Sequence, residues 1–216
     1  MGAELDRRVL VVGAGGHARV CIEALLDSGY EVVGCVSSDG TGAPGLPCPV
    51  LGTDHDLGEV AASAGATHAF VAIGDNAVRE ALSARCAAAG LPLATAVSRF
   101  AMMSPSVLLG AGVAVLAGAV VNAASAVGVG AIHNTRCSVD HDCTIGQFAH
   151  VAVGASLGGG VAVGDRALVG IGACVLPSKA VGGGAVVGGG AVVVDDVVAG
   201  STVVGVPARA MARGPR

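Results

Sequence analysis

The 216-residue chain carries 12 Lys and Arg against 16 Asp and Glu, a net charge of −4 with no basic cluster. That balance excludes the electrostatic footprint of a protein that binds nucleic acid or rests on an anionic membrane surface. Thirty-six glycines stand beside three Phe, one Tyr and no Trp, so Val and Ala must fill the interior, while seven Cys without a C-x-x-C pair or a signal peptide fit reduced thiols in a cytoplasmic protein.

In chain order, the first hundred residues alternate between strand and helix patterns. A strand at 9–12 runs into Gly13-Ala14-Gly15-Gly16, and a helix from about 17 to 28 is closed by Gly29. A second strand follows at 31–36, then a Gly/Pro-rich loop at 39–49. The third strand at 68–73 ends in Gly74-Asp75-Asn76, ahead of a helix at about 77–89. This alternation predicts an α/β domain with a small parallel, Rossmann-like sheet over residues 1–98, joined through 91–106 to a second domain at 99–216.

The second domain emerges by self-comparison. Every sixth residue from Leu109 to Val193 is aliphatic in fourteen of fifteen cases, His133 being the exception. Four places further on, the column from Val113 to Val197 holds only Ala, Val, Ser or Cys, apart from Lys179. Two locked columns predict a coil of short strands on flat faces, with the aliphatic residue inside and the small residue in a tight corner. Glycines such as 110, 128 and 146 directly follow the aliphatic column and are expected where the backbone turns hard. With three faces per coil, fifteen hexads give about five coils of an all-β parallel β-helix, each burying its interior only by stacking on its neighbours. The uncharged stretch 102–132 is long enough for a bilayer, yet it holds five glycines, Asn122 and Ser125, and its period of six continues into charged sequence. It serves the repeat, and no membrane span is expected.

These hexads, and the ending Val204-Gly205-Val206-Pro207-Ala208-Arg209-Ala210-Met211, resemble the left-handed β-helix acyltransferases. Gly13-Ala14-Gly15-Gly16-His17, Asn134-Thr135, the run from Val139 through His141-Asp142-Cys143 to Gly146, and the run Phe148 to Gly154 resemble the nucleotide-sugar N-acetyltransferases that modify 4-amino-4,6-dideoxy sugars. The likeness covers nearly the whole chain. It implies a homotrimer, acetyl-CoA in the groove between neighbouring β-helices, and a nucleotide-linked amino sugar on the N-terminal domain.

Acyl transfer to an amine needs a group to take the proton as nitrogen attacks the thioester, and an imidazole suits that near neutral pH. The resemblance gives this role to His141, with Asp142 orienting it and Asn134 beside it; Asp140 also flanks it, but neighbours in a strand point to opposite sides. His150 is placed near the thioester, where a donor could stabilise the oxyanion. Gly159, Gly170, Ile171, Gly188 and Gly189 match the acetyl-CoA groove, and Arg209 is a partner for its phosphates. Gly13, Gly15, Gly16 and His17 match the loop for the sugar nucleotide, where a glycine turn and a helix N-terminus meet an anion. Relatives often carry an acidic run after the second strand. Here Ser37-Ser38-Asp39 leaves only Asp39 to bond a base or ribose, which is compatible with a GDP sugar and leaves UDP and dTDP sugars open. Asn76 is a further substrate-binding candidate.

His133, in the interior column, reads as a satisfied core histidine. His133, His141 and His150 do not keep an 18-residue spacing, so a metal scaffold of the γ-carbonic anhydrase kind is not expected, and no metal is assigned. Sugar O-acetylation of the sialic acid type remains the competing chemistry. An NAD oxidoreductase would leave the β-helix without a role.

Overall fold

A computed structural model describes residues 7–211, and the chain divides into two compact units between Arg99 and Phe100. In the first unit β1 (Arg8–Val12), β2 (Glu31–Ser37), β3 (Val50–Thr53) and β4 (His68–Val71) form a parallel sheet of order β3-β2-β1-β4. The run Val9-Leu10-Val11-Val12 is wholly buried, as an unbroken apolar strand at the centre of a parallel sheet must be. Helix α1 (Gly16–Asp27) connects β1 to β2, α2 (Leu57–Ala64) lies between β3 and β4, and α3 (Asn76–Ala88) follows β4. The order reverses between β1 and β4, so the carboxyl ends of those strands open a crevice of the kind that takes ligands.

β3, a 3-10 turn at Asp54–Asp56 and α2 were not expected from the sequence. β3 is four residues long, contains Gly52 and lies half exposed, and α2 has two turns; neither is long enough for its periodicity to register.

The second unit is the left-handed β-helix. Sixteen two-residue strands succeed one another at intervals of six, from Met102–Met103 to Val192–Val193, one hexad earlier than the repeat's first aliphatic residue suggests. Up to Cys174–Val175, each pairs in parallel with the strand 18 residues on, as Ser138–Val139 does with Ser156–Leu157. Both sequence columns point inward. Val121, Val139, Val151 and Val169 are fully buried, and so are Ala119, Ala131, Ala155 and Ala173.

The glycines occupy two different stations. Those after the aliphatic column are not at the hard turn: a Cβ on Gly128 would lie 2.6 Å from the Gln147 backbone nitrogen, so they permit coil-to-coil approach. The turn itself falls two residues later, where every sixth residue from Gly112 to Gly190 has positive φ. At the C-terminal end the register slips, since Val181 bridges Val197 and Val186 pairs with Thr202, 16 residues on. Strand Thr202–Val204 then closes the stack through an antiparallel pairing with Arg209–Ala210.

The uncharged stretch at 102–132 is thus spent on short strands. No helix among the described residues is long and apolar enough to cross a membrane.

Candidate functional site

The β-helix cross-section has three edges, and the residues singled out from the sequence fall on two of them. His141 lies in the turn between strands Ser138–Val139 and Thr144–Ile145. Its ring Nδ1 is 2.7 Å from Asp142 Oδ2, so the N–H donates to that carboxylate and Nε2 is left as the basic nitrogen. Asp140 faces elsewhere. Its Oδ1 accepts from the His141 backbone N–H at 2.9 Å and from Asn122 Nδ2 at 3.0 Å, while its carbonyl accepts from Ser125 Oγ. The Asp142 hydrogen bond, then the Asp140 charge, hold the exposed imidazole above its ordinary value. Gly159 lies one coil on, directly against the ring: a Cβ there would come 2.6 Å from His141 Cε1 and 2.7 Å from Nε2.

The second edge follows the strands Ile132–His133, His150–Val151, Leu168–Val169 and Val186–Val187. Asn134 donates through Nδ2 to His150 Nε2 at 3.0 Å, while its Oδ1 accepts from the Thr135 N–H at 2.8 Å. With Nε2 accepting, the proton of neutral His150 resides on Nδ1. Gly170, Ile171, Gly188 and Gly189 follow Asn134 up this edge in successive coils, and Ile171 is 66% exposed. A Cβ on Gly170 would press on the Val187 carbonyl and one on Gly188 on Val204, so both glycines are needed for packing. Arg209 stands at the C-terminal end, 3.6 Å from Asp195 Oδ2. One face of the coil separates the His141 cluster from the Asn134–His150 cluster, so a single copy does not bring them together.

In the first unit a cleft of about 480 Å³ opens at the β1/β4 crevice. Gly13, Gly15 and Asp39 line it with Ser37, Thr41 and Ile73. Gly13 has φ +116° and its N–H donates to the Val36 carbonyl; a Cβ there would meet the Ala72 oxygen at 2.8 Å. Gly15 and Gly16 are exposed at the start of α1. Asp39 accepts from the Thr41 N–H at 3.0 Å and from Ser37 Oγ at 3.1 Å, which holds its carboxyl below the usual range. His17, Gly16 and Asn76 are outside the cleft lining. His17 sits 3.4 Å from Cys21 Sγ, and burial, then the Arg79 charge, lower its pKa.

Sequence reasoning missed Arg79, 1% exposed in α3, because a lone Arg in a helix reads as solvated. It also passed over Asn122 and Ser125, which join the His141 turn only through the 18-residue stacking. His133 departs from the expectation of a satisfied histidine: it is fully buried, and neither ring nitrogen has a hydrogen-bond partner. Burial, then neighbouring His150, push its pKa down to about 4. Among the described residues no group of three His, Cys, Asp or Glu is placed to hold a metal ion.

Residues 8–86 match the family model of the PglD N-terminal domain. The chain is 42% identical to PerB from Caulobacter crescentus, solved with CoA and GDP-perosamine, at a TM-score of 0.90 covering 94% of this chain and 97% of that one. The acetyltransferase domain of PglB from Neisseria gonorrhoeae FA1090, solved with acetyl coenzyme A, is 36% identical at a TM-score of 0.86, covering 95% and 100%. An uncharacterized protein of Acanthamoeba polyphaga mimivirus is 30% identical over 104 residues, 48% of this chain, which spans only 20% of that much longer protein. With the stacked hexads, the cleft at the β1/β4 crevice and these matches over nearly its full length, the chain belongs to the hexapeptide-repeat nucleotide-sugar N-acetyltransferases, an acyltransferase family.

Proposed function

We propose that the chain transfers the acetyl group of acetyl-CoA to the 4-amino group of a nucleotide-linked 4-amino-4,6-dideoxy sugar, with GDP-perosamine the favoured substrate and His141 the general base. The observation that carries this reading is the His141–Asp142 pair, whose 2.7 Å contact commits Nδ1 and presents a basic Nε2 at an open turn. As the neutral amine attacks the thioester carbonyl, the new C–N bond forms and the carbonyl electrons move to oxygen. Nε2 takes the proton from nitrogen, and the oxyanion collapses with expulsion of the CoA thiolate. His150 Nδ1–H is the donor assigned to the oxyanion.

PerB supports the choice of sugar nucleotide, because it was solved with both CoA and GDP-perosamine. Variants of that enzyme with one histidine changed to Asn or Ala were solved with the same two ligands, which fits a histidine that serves chemistry more than binding. Asp39 in the cleft is the acceptor for the N1–H and amino group of guanine. A homotrimer is part of the proposal: the His141 edge of one copy against the Asn134–His150 edge of the next gives acetyl-CoA two walls.

The test is release of free CoA by the purified protein, whose mass in light scattering should be that of three subunits. GDP-perosamine and the UDP- and dTDP-linked 4-amino sugars are compared; turnover with none of them, but with a sugar alcohol, defeats N-acetylation. His141→Asn should lower kcat by at least about 10²-fold with little change in the KM for acetyl-CoA. A near-normal kcat removes His141 from the base role.

A further inference from the structure

Arg79 is among the largest fully buried side chains of the chain. It lies on the first turns of α3, yet its guanidinium turns back to the segment between β4 and that helix. Nη1 donates to the carbonyls of Ile73 and Gly74 at 3.0 and 3.2 Å, and Nη2 to Asn76 Oδ1 at 2.8 Å. Three acceptors on the 73–76 segment are thus tied to one planar group. The segment borders the cleft. Ile73 lines it, and Val78 does so one turn into α3, where its N–H donates to Asp75 at 2.9 Å.

The tie reaches the glycine turn through packing. The Ile73 side chain lies so close to Gly13 that a Cβ on that glycine would come 2.9 Å from Ile73 Cδ1. Gly13 in turn donates to Val36 at the end of β2, beside the Ser37–Asp39 segment. A guanidinium holding the Ile73 carbonyl therefore fixes how Ile73 packs against the glycine turn, and with it the part of the cleft that the two residues line.

We infer that Arg79 is a positioning residue for sugar-nucleotide recognition, acting through Ile73, Gly74 and Asn76 to set the cleft, and taking no part in acetyl transfer. This rests on the reading of the cleft as the nucleotide-sugar site. It also gives Asn76 a different place: its Oδ1 is a rivet of the 73–76 segment. A lysine cannot replace the guanidinium, since an ammonium is a point donor that does not span three acceptors in a fixed fork.

The experiment is steady-state kinetics of the full-length protein with GDP-perosamine and acetyl-CoA, with folding checked by circular dichroism. Arg79→Lys should raise the KM for GDP-perosamine at least about tenfold, because a bordering segment displaced by a fraction of an ångström misplaces the whole ligand. The acetyl-CoA KM and the kcat at saturation should stay within about twofold of the parent. Asn76→Ala removes one acceptor, leaves Arg79 in place, and should raise the same KM severalfold; it decides the matter if Arg79→Lys does not fold. An unchanged GDP-perosamine KM in a folded variant overturns the inference, as does a loss shared by both substrates and kcat, the pattern of a merely structural residue. Failure of the unsubstituted protein to turn over any sugar nucleotide is a separate result and sinks the proposed function itself.

Discussion

Gly159→Ala places a methyl group against the imidazole of His141. The new Cβ would stand 2.6 Å from Cε1 and 2.7 Å from Nε2, against a comfortable carbon contact of about 3.5–4 Å, so the ring or the coil must yield by about 1 Å. The coil is held on both sides of this point, since the Gly160 N–H donates to the His141 carbonyl at 2.8 Å and the Ser178 N–H to the Gly159 carbonyl at 2.9 Å. The ring moves instead. It is the exposed end of a side chain, 60% accessible, and Gly159 lies outside the positive-φ positions, so the stability cost should stay within about 0.5 kcal/mol. Catalysis is less forgiving. A base displaced by about 1 Å loses on the order of 10²-fold in rate, or about 2.7 kcal/mol of transition-state stabilisation. The assay is kcat and both KM values by CoA release, beside a thermal melt. A kcat within about threefold of the parent refutes the positioning argument. So does an effect confined to the acetyl-CoA KM, which would mean that the methyl meets the cofactor and not the base.

Asp142→Asn removes the largest cause of the raised His141 pKa. On the proposed mechanism the active form carries a neutral imidazole, so the acid limb of kcat/KM should move to lower pH while the plateau falls about tenfold; a limb that stays or moves upward contradicts the pairing. His133 gives a stability test. Its folded value of about 4 lies below the ordinary 6.5, so between those values the unfolded chain holds the extra proton. Stability is full above 6.5 and is lost as pH falls toward 4, by up to about 3 kcal/mol. His133→Val, which restores the column's usual residue, should flatten that window in urea unfolding at matched pH; parallel curves for the two proteins would refute it.

The β-helix was legible because its information is periodic. A single misplaced residue cannot hide fifteen repeats, and the inward columns follow from counting alone. Contacts between coils were partly legible for the same reason. Once 18 is known to be the stacking interval, Gly159 beneath His141 and Asn122 beside Asp140 are one coil apart by arithmetic, although only coordinates show which atoms meet. The glycine stations were misread because a tight turn and a close coil-to-coil approach demand the same residue. The first unit has no such repeat to lean on. Its short β3 and α2 carry too few residues to show a period, and Arg79 gives no sequence signal, since its acceptors are backbone carbonyls, which every residue type has.

The turn column also bears on Asp142. Six of its positions carry something other than glycine at positive φ: Ala124, Arg136, Asp142, Phe148, Arg166 and Ser178. An L-residue in that region costs about 1–2 kcal/mol, with Asp and Asn at the lower end. Phe148 recovers the cost by burial, being 7% exposed with its ring filling the space left by Gly130. Asp142 has no such return. Its side chain is 66% exposed, and its hydrogen bond goes to the ring beside it. Ala124, Arg136, Arg166 and Ser178 are exposed at the same station, so what sets Asp142 apart is the hydrogen bond of its carboxylate to the neighbouring imidazole. On the proposed mechanism the carboxylate serves His141, and the Asp142→Asn pH profile tests that assignment.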